Sequence, residues 1–200
     1  MPDTGAPHFI PFADPTDLVR DWPALSEDVA EAVADGLDAA GGLVAVKSAI
    51  FTGTQTDAVT AGDNLAVTDL EITHALADAS NKLIISAFFG AAANSEGTGK
   101  VGIAVDDGTG LIAIGDADGN RIRVTAGGVV TGTASGNAVT MPSVTFVHTP
   151  NTTDSKTYTV RSINISNATL TLFINRSSAD VNDQNTSRAV SSLVIQEVKV

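Results

Sequence analysis

The sequence KTYTVRSINISNATLTLFINRSSADVNDQNTSRAVSSLVIQEVKV, residues 156–200, decides the fold of this chain. Apolar residues recur there at every second position in three runs, and many of them are β-branched. This alternation is typical of β-strands with one buried face. The polar segments 164–167 and 175–188 between the runs are rich in the Asn, Asp and Ser that form turns. The residues that the pattern predicts to be buried are Tyr158, Val160, Leu170, Leu172, Ile174, Val194, Val198 and Val200.

Short strand-like segments continue upstream and predict an all-β chain. They recur at a spacing of roughly ten residues with Gly- and Asp-rich turns between them, which is typical of sandwiches and jelly rolls. We therefore predict an antiparallel β-sandwich, jelly-roll-like, for residues 43–200. The predicted strands are 43–52, 65–72, 82–89, 101–105, 111–115, 121–125 and 143–148, with turns or loops at 53–57, 74–80 and 91–99.

The composition sets limits on the fold and on the partners. With 200 residues, 43% of them hydrophobic, the chain can bury one core. Only 17% of the residues are charged, and 18 are glycine, a composition that disfavours long helices. The net charge of −12 repels a phosphate backbone, so we expect no nucleic acid partner. The chain has no cysteine, which excludes disulfides, zinc–thiolate sites and thiol nucleophiles.

The first 22 residues predict an extended arm, because four prolines there exclude helix interiors and central strands. Its apolar side chains have no local element to pack against. They predict insertion into a partner or a neighbouring subunit, and the alternative is a flexible tail. The anchoring residues predicted in the arm are Phe9, Ile10, Phe12, Leu18 and Trp22.

Residues 23–40 predict a short amphipathic helix. Pro23 suits its first turn, and Gly41–Gly42 ends it. Such a helix is marginal alone in water, so its stripe must pack on this chain's own sheet, on sister chains or on another protein. The stripe consists of Leu25, Val29, Ala32, Val33, Leu37 and Ala40. We predict two regions: residues 1–42 for particle attachment and oligomerisation, and residues 43–200 for the sandwich.

One segment resembles a calcium loop. Asp116, Asp118 and Asn120 alternate as in the opening of such a loop, but the full twelve-residue pattern with its terminal Glu is absent. A tight turn between two strands is the favoured interpretation, and a bound cation is the alternative.

No arrangement of residues predicts catalysis. His8, His74 and His148 lie far apart, and none has a second ligand at metal-binding spacing. Asp106 and Asp107 are adjacent, and neighbours in a strand point to opposite faces. The segment 97–100 is not a phosphate loop, because Val101 follows the lysine. We therefore predict no catalytic residue, no metal site and no cofactor.

Several stretches resemble bacteriophage virion proteins. The segment PFADPTDLVRDWPALSEDVAEAVADGLDAAGG, residues 11–42, looks like the Pro-rich arm and short helix that open many of them. The segments HALADASNKLIISAFFG (74–90), VHTPNTTDSKTYTVRS (147–162), FINRSSAD (173–180) and SSLVIQEV (191–198) are similar to minor tail and fibre-type proteins of tailed phages.

This resemblance implies a virion structural protein, commonly a homotrimer, anchored to other phage proteins by its N-terminal part. Its sandwich would face solvent and contact a host glycan or protein. The alternative is a capsid decoration protein that stabilises the head, and a third, weaker hypothesis is a carbohydrate-active module or enzyme. The N-terminal sequence lacks the features of a secretion signal, and no segment predicts a membrane span. We expect synthesis in the host cytoplasm and release by lysis.

Overall fold

The computed structural model describes residues 42–94, 100–130, 139–182, 184 and 186–200. These residues form antiparallel β-strands and no helix, and hence no helix that could cross a membrane. An all-β, antiparallel chain is therefore confirmed within these ranges. The predicted arm and helix lie outside the described residues. The strands are β1 (Leu43–Phe51), β2 (Gln55–Val59), β3 (Asn64–His74), β4 (Lys82–Phe88), β5 (Ala91–Ala93), β6 (Lys100–Asp106), β7 (Leu111–Ile112), β8 (Ala126–Val130), β9 (Ser143–His148), β10 (Lys156–Asn164), β11 (Leu170–Ile174) and β12 (Ser191–Val198).

The strands make three sheets. A four-stranded sheet has the order β1-β12-β4-β9, and a three-stranded sheet has the order β2-β11-β5. A five-stranded sheet has the order β3-β10-β6-β7, and β8 also pairs with β6. Each of the three C-terminal strands, β10, β11 and β12, lies between two partners in a different sheet. The C-terminal stretch therefore organises the fold, as its alternation predicts.

The core is one hydrophobic cluster to which all three sheets contribute. Ile85 on β4, Ile103 on β6 and Ile174 on β11 are each fully buried within it. Tyr158 and Val160 on β10 are buried as well, which confirms their predicted position. Leu170 and Leu172 on β11 are also buried as predicted. Complete burial of an aliphatic side chain contributes about 1.5–3 kcal/mol, so this cluster is the main source of stability.

The predicted phase of β12 was wrong. Its buried face is made by the odd-numbered residues, which include Leu193, Ile195 and Glu197. Val194 and Val198 lie on the outer face and are only partly covered, and Val200 follows the strand and is 70% exposed. Each face of β12 carries two aliphatic residues, Leu193 and Ile195 on one and Val194 and Val198 on the other. The alternation therefore did not fix its phase.

Several strand bounds also differ from the predictions. Residues 121–125 are not a strand, and β8, which pairs with β6, begins only at Ala126. The predicted strand 111–115 contains only the two residues of β7. The predicted turn 53–57 contains the start of β2, and the predicted loop 91–99 opens with β5. Both of these strands pair with β11, so long-range pairing decides them and local propensity does not.

Two buried asparagines fix the turns after β10 and β11. The Asn164 Nδ2 donates to the carbonyl oxygens of Val59 and Ala168, at 2.8 Å each. Asn175 has a φ of 60°, a left-handed conformation that asparagine tolerates. Its Nδ2 donates to the carbonyl oxygen of Phe51 at 2.8 Å, and its Oδ1 accepts from the Ser191 hydroxyl at 2.5 Å. Asn175 therefore ties β11 to the end of β1 and the start of β12.

Candidate functional site

Titratable side chains gather at one end of the two larger sheets. Leu83 on β4 pairs with Glu197 on one side and His148 on the other, so these two residues share a row of the four-stranded sheet. In the five-stranded sheet, His74 pairs with Lys156. These residues form two groups, which we name the Glu197 cluster and the Asp107 cluster.

In the Glu197 cluster, a buried carboxylate is held by three donors. Glu197 is 1% exposed, and its Oε2 lies 2.8 Å from the Nε2 of His74 on β3. Its Oε1 accepts from the Asn81 Nδ2 at 2.7 Å and from the Ala77 amide at 2.8 Å. Because Glu197 lies on β12 and His74 on β3, the cluster links the two larger sheets.

The hydrogen bonds keep Glu197 ionised. Burial alone raises the pKa of this carboxyl, because it disfavours the charged form. The hydrogen bonds from Asn81, Ala77 and His74, with the charge of His74, outweigh burial and place the pKa below its usual value. The cluster is therefore a charged inter-sheet contact at neutral pH.

The Asp107 cluster lies after β6. Asp107 is 5% exposed, and its Oδ2 accepts from the Lys156 Nζ at 2.6 Å. Its Oδ1 accepts from the Thr109 amide at 3.0 Å and from the Thr109 hydroxyl at 2.6 Å. The Nε2 of His148, on β9, lies 3.9 Å from Oδ2, and the His148 ring meets the Tyr158 ring edge-on with centroids 5.8 Å apart.

Burial and charge shift three pKa values in this cluster. Burial raises the pKa of Asp107, but the bonds from Lys156 and Thr109 outweigh it and lower the pKa to about 2. Burial lowers the pKa of His148 more than the nearby Asp107 raises it. Burial and the Asp107 charge raise the pKa of Tyr158 to about 12. At neutral pH the cluster therefore consists of an ion pair, a neutral imidazole and a neutral phenol.

Two cavities of the described residues lie away from both clusters. One cavity of about 540 Å³ is lined by the loops around Gly62, Arg121 and Ser166, and another of about 400 Å³ lies between Asp180 and Arg188. No residue of the two clusters lines either cavity. Structural ion pairs and hydrogen bonds also shift pKa values, and in both clusters the carboxylate is held by donors from other strands and turns of the fold.

The segment that resembles a calcium loop forms a turn. The Arg121 amide donates to the carbonyl oxygen of Asp118 at 3.2 Å, and Gly119 between them has a positive φ of 57°. The Asp118 carboxylate pairs with the guanidinium of Arg121. The predicted turn is confirmed, although no strand follows it directly. Within the described ranges, no group of three or more His, Asp or Glu residues could hold a metal ion.

The outer face of the four-stranded sheet is apolar. The rows across it follow from the register: Val46 pairs with Gln196, Gln196 with Ile84, and Ile84 with Val147. Ile50 is 62% exposed and Val147 is 61% exposed, which is unusual for such side chains on two strands of one face. We name this surface the apolar face; it consists of Leu43, Val46, Ile50, Ile84, Phe88, Val147, Val194 and Val198.

Polar residues make up the rest of this outer face, and most of them are small and uncharged. Ser48 pairs with Val194, which pairs with Ser86, and Ser86 pairs with Thr145. The larger polar residues among the described strands of this face are Gln196 and Lys82. Lys82 is the charged side chain among them, and none of the described strand residues of this face is a carboxylate.

The outer face of the five-stranded sheet is polar, and we name it the polar face. Arg161 on β10 pairs with Asp106 on β6 at 3.1 Å. Thr73 and Thr157 are cross-strand partners whose hydroxyls lie 2.8 Å apart. The residues of the polar face are Glu71, Thr73, Asp106, Thr157, Thr159 and Arg161.

The predicted anchoring residues cannot be placed, because they all lie outside the described residues. They are Phe9, Ile10, Phe12, Leu18, Trp22, Leu25, Val29, Val33 and Leu37. The structure adds the apolar face and the two charged clusters, which sequence reasoning missed. One signal in the sequence points to the Glu197 cluster. Glu197 follows Leu193 and Ile195 at alternate positions, which in a strand places all three side chains on the same face.

Comparisons with known proteins give no family. No protein-family model matches the chain, and no curated protein matches its sequence. A chain in the structure of infectious bursal disease virus Gx strain is similar, with 11% identity and a TM-score of 0.33. The match covers 78% of this chain and 39% of that one, so this chain spans less than half of its length. A likeness this distant carries no argument about family or function.

Proposed function

We propose that this chain is a non-enzymatic structural protein of a tailed-phage virion, of the minor tail or fibre type. In this proposal residues 43–200 form a jelly-roll-like β-sandwich that faces solvent and contacts the host surface. Residues 1–42, with a Pro-rich arm and a short helix, attach it to other phage structural proteins. The assembled form is a homotrimer, made in the host cytoplasm and released by lysis.

The observation that carries the proposal is the apolar face. Several exposed aliphatic side chains on one sheet face favour a protein-binding site there. Ile50 and Val147, on the two edge strands of the sheet, bound it. A protein that works by assembly needs such a surface. The sequence resemblance to virion proteins then supports a phage particle as the assembly.

We infer the absence of enzymatic activity from the hydrogen bonds that the two buried carboxylates, Asp107 and Glu197, already accept. Asp107 already accepts hydrogen bonds from Lys156 and Thr109, and Glu197 accepts from three donors. A general acid or base needs a free position facing a substrate. The two described cavities are lined by other residues, which supports this part of the proposal.

Electron microscopy of intact virions tests this proposal directly. The particles would be labelled with an antibody raised against residues 43–200. Label at the tail tip or collar is the expected result. Particles without label, when the antibody detects the protein in infected cells, would contradict a virion role.

Capsid decoration is the alternative, and the same experiment separates it by label spread over the head. A second measurement is the rupture temperature of virions that lack the protein. A decoration protein binds only the assembled shell and stabilises it by mass action, so its loss lowers that temperature. Loss of a tail protein lowers infectivity and leaves the rupture temperature unchanged.

A further inference from the structure

We propose that Asp118 is a site of spontaneous covalent modification, at which the side chain closes onto the amide nitrogen of Gly119 and the resulting cyclic imide opens to isoaspartate. Asp118 lies at the start of an exposed turn. The Arg121 amide donates to the carbonyl oxygen of Asp118 at 3.2 Å, and Gly119 has a positive φ of 57°. The modification is independent of the virion role.

The reaction needs only water. The Gly119 nitrogen attacks the Cγ of the neutral Asp118 carboxyl, a new N–Cγ bond forms, and the amide proton leaves with the carboxyl hydroxyl as water. Water then adds to either carbonyl of the five-membered ring. When the bond between the nitrogen and the original main-chain carbonyl breaks, the chain runs through Cβ and Cγ and gains a methylene group. The former carbonyl becomes a free carboxylate, and the mass of the chain is unchanged.

The candidates for this reaction are Asp–Gly dipeptides, because glycine has no Cβ to obstruct the approach to its amide nitrogen. The chain contains Asp35–Gly36, Asp107–Gly108 and Asp118–Gly119, and it has no Asn–Gly dipeptide. The first of them lies outside the described residues. The other two are the same dipeptide, so any difference in their reactivity must come from their surroundings.

Both reacting groups are accessible at Asp118. Its side chain is 67% exposed, and the Arg121 side chain with which it pairs is 79% exposed. An ion pair between side chains this exposed is weak, so it does not hold the carboxyl in place. The Gly119 amide donates no hydrogen bond to another described residue. A Cβ placed on Gly119 would meet no atom within 4 Å apart from its chain neighbours. The carboxyl can therefore turn towards a free amide nitrogen.

Asp107 has the opposite surroundings. It is 5% exposed, its Oδ2 accepts from Lys156, and its Oδ1 accepts from Thr109. The Gly108 amide, which would supply the attacking nitrogen, donates to the Asp106 Oδ1 at 2.8 Å. The Asp107 pKa of about 2 also leaves little of the neutral carboxyl that the reaction requires. The fold therefore protects one Asp–Gly dipeptide and leaves the other open.

Isomerisation would change the shape of the turn but not the net charge. The carbonyl oxygen that accepts from the Arg121 amide would become part of the free carboxylate, so the turn would lose the hydrogen bond that closes it. The next residues, Asn120, Arg121 and Ile122, line the cavity of about 540 Å³. Ageing of the protein should therefore alter one wall of this cavity.

Incubation of the full-length chain in mildly acidic buffer, both folded and in urea, tests the proposal. Isoaspartate would be located by peptide mapping with electron-transfer fragmentation, which distinguishes it from aspartate of equal mass. In the folded chain, position 118 should accumulate roughly tenfold or more isoaspartate than position 107, because reaction at a buried site must wait for the fold to open. In urea the two amounts should converge, because the dipeptides are identical.

The matched control is Asp118→Glu. This variant keeps the carboxylate, but the longer side chain would have to close a six-membered ring, which forms far more slowly. The fold should tolerate the change, because the side chain at this position is exposed. The peptide that carries position 118 should then stay unmodified over the same time.

Two outcomes overturn the proposal. Equal amounts of isoaspartate at positions 107 and 118 of the folded chain would show that the surroundings do not control the reaction. Absence of isoaspartate at position 118 in the folded chain, when it forms there in urea, would show that the turn protects Asp118. Neither outcome bears on the virion role, which antibody labelling of particles tests separately.

Discussion

The outer faces of the two larger sheets are built from similar antiparallel strands but carry different side chains. One presents Ile50, Ile84 and Val147, and the other presents Glu71, Thr159 and Arg161. Burial in the core explains neither set, because both faces point away from the core. The polar face presents groups that bind water, whereas the apolar face exposes aliphatic side chains whose contact with water is unfavourable.

This comparison separates two uses of a sheet in one molecule. The inner faces supply the stability of the fold through the hydrophobic cluster and the two charged clusters. The outer faces do not pack in the core, so we interpret their composition in terms of function. The following predictions test the difference between the inner and outer faces, and they are ordered by the expected loss of stability.

The largest effect should come from the two faces of β12. Ile195 is fully buried, so Ile195→Asp should destabilise the fold by on the order of 4 kcal/mol or more. Its neighbour Val194 lies on the apolar face, and Val194→Asp should change the stability by only about 1 kcal/mol while it weakens assembly into the virion. Urea unfolding of both variants checks this. Similar losses of stability would mean that the phase of β12 is wrong.

Removal of the buried Glu197 carboxylate should reduce the stability of the fold less than the new charge of Ile195→Asp does. Glu197→Ala leaves His74, Asn81 and the Ala77 amide without their acceptor and should lower the unfolding free energy by about 3 kcal/mol. Glu71→Ala on the polar face removes an exposed carboxylate and should cost less than about 0.5 kcal/mol. Denaturant titration would measure both, and equal costs would argue against the Glu197 cluster as an inter-sheet contact.

Acid should destabilise the fold by protonating Asp107, which weakens its ion pair with Lys156. Its pKa of about 2 in the folded chain lies below the ordinary 3.8, so its stabilisation is present above pH 4 and disappears as the pH falls towards 2. The loss should be about 2 kcal/mol. Asp107→Asn should lack this part of the pH dependence in thermal unfolding between pH 5 and pH 2. A variant with the wild-type slope would refute the ion pair.

The smallest effect is expected on the polar face. The Arg161–Asp106 pair is partly exposed at 3.1 Å, and Arg161→Gln should cost only about 0.5 kcal/mol, less in high salt. Thermal unfolding at two salt concentrations would measure it. A loss of assembly into the virion in this variant would contradict the division between the two faces.

Sequence reasoning predicted the all-β class and most strands, because the alternation of apolar, often β-branched residues with polar ones is visible within each short segment. It correctly placed Tyr158 and Leu172, which are both buried. It misplaced β12, whose Val194 and Ile195 are both apolar, so that only long-range partners select the inner face. The apolar face was missed for the same reason, since it exists only when β1, β12, β4 and β9 lie side by side.

The most direct test of the apolar face uses the absence of cysteine from the chain. Ile50→Cys and Thr73→Cys each introduce a single thiol, one on the apolar face and one on the polar face. In the assembled protein, a thiol-specific reagent should modify position 50 roughly tenfold or more slowly than position 73, because modification requires access to the thiolate. In the chain freed from its partners the two rates should converge. Equal rates in the assembled protein would contradict the claim that the apolar face is where this chain assembles.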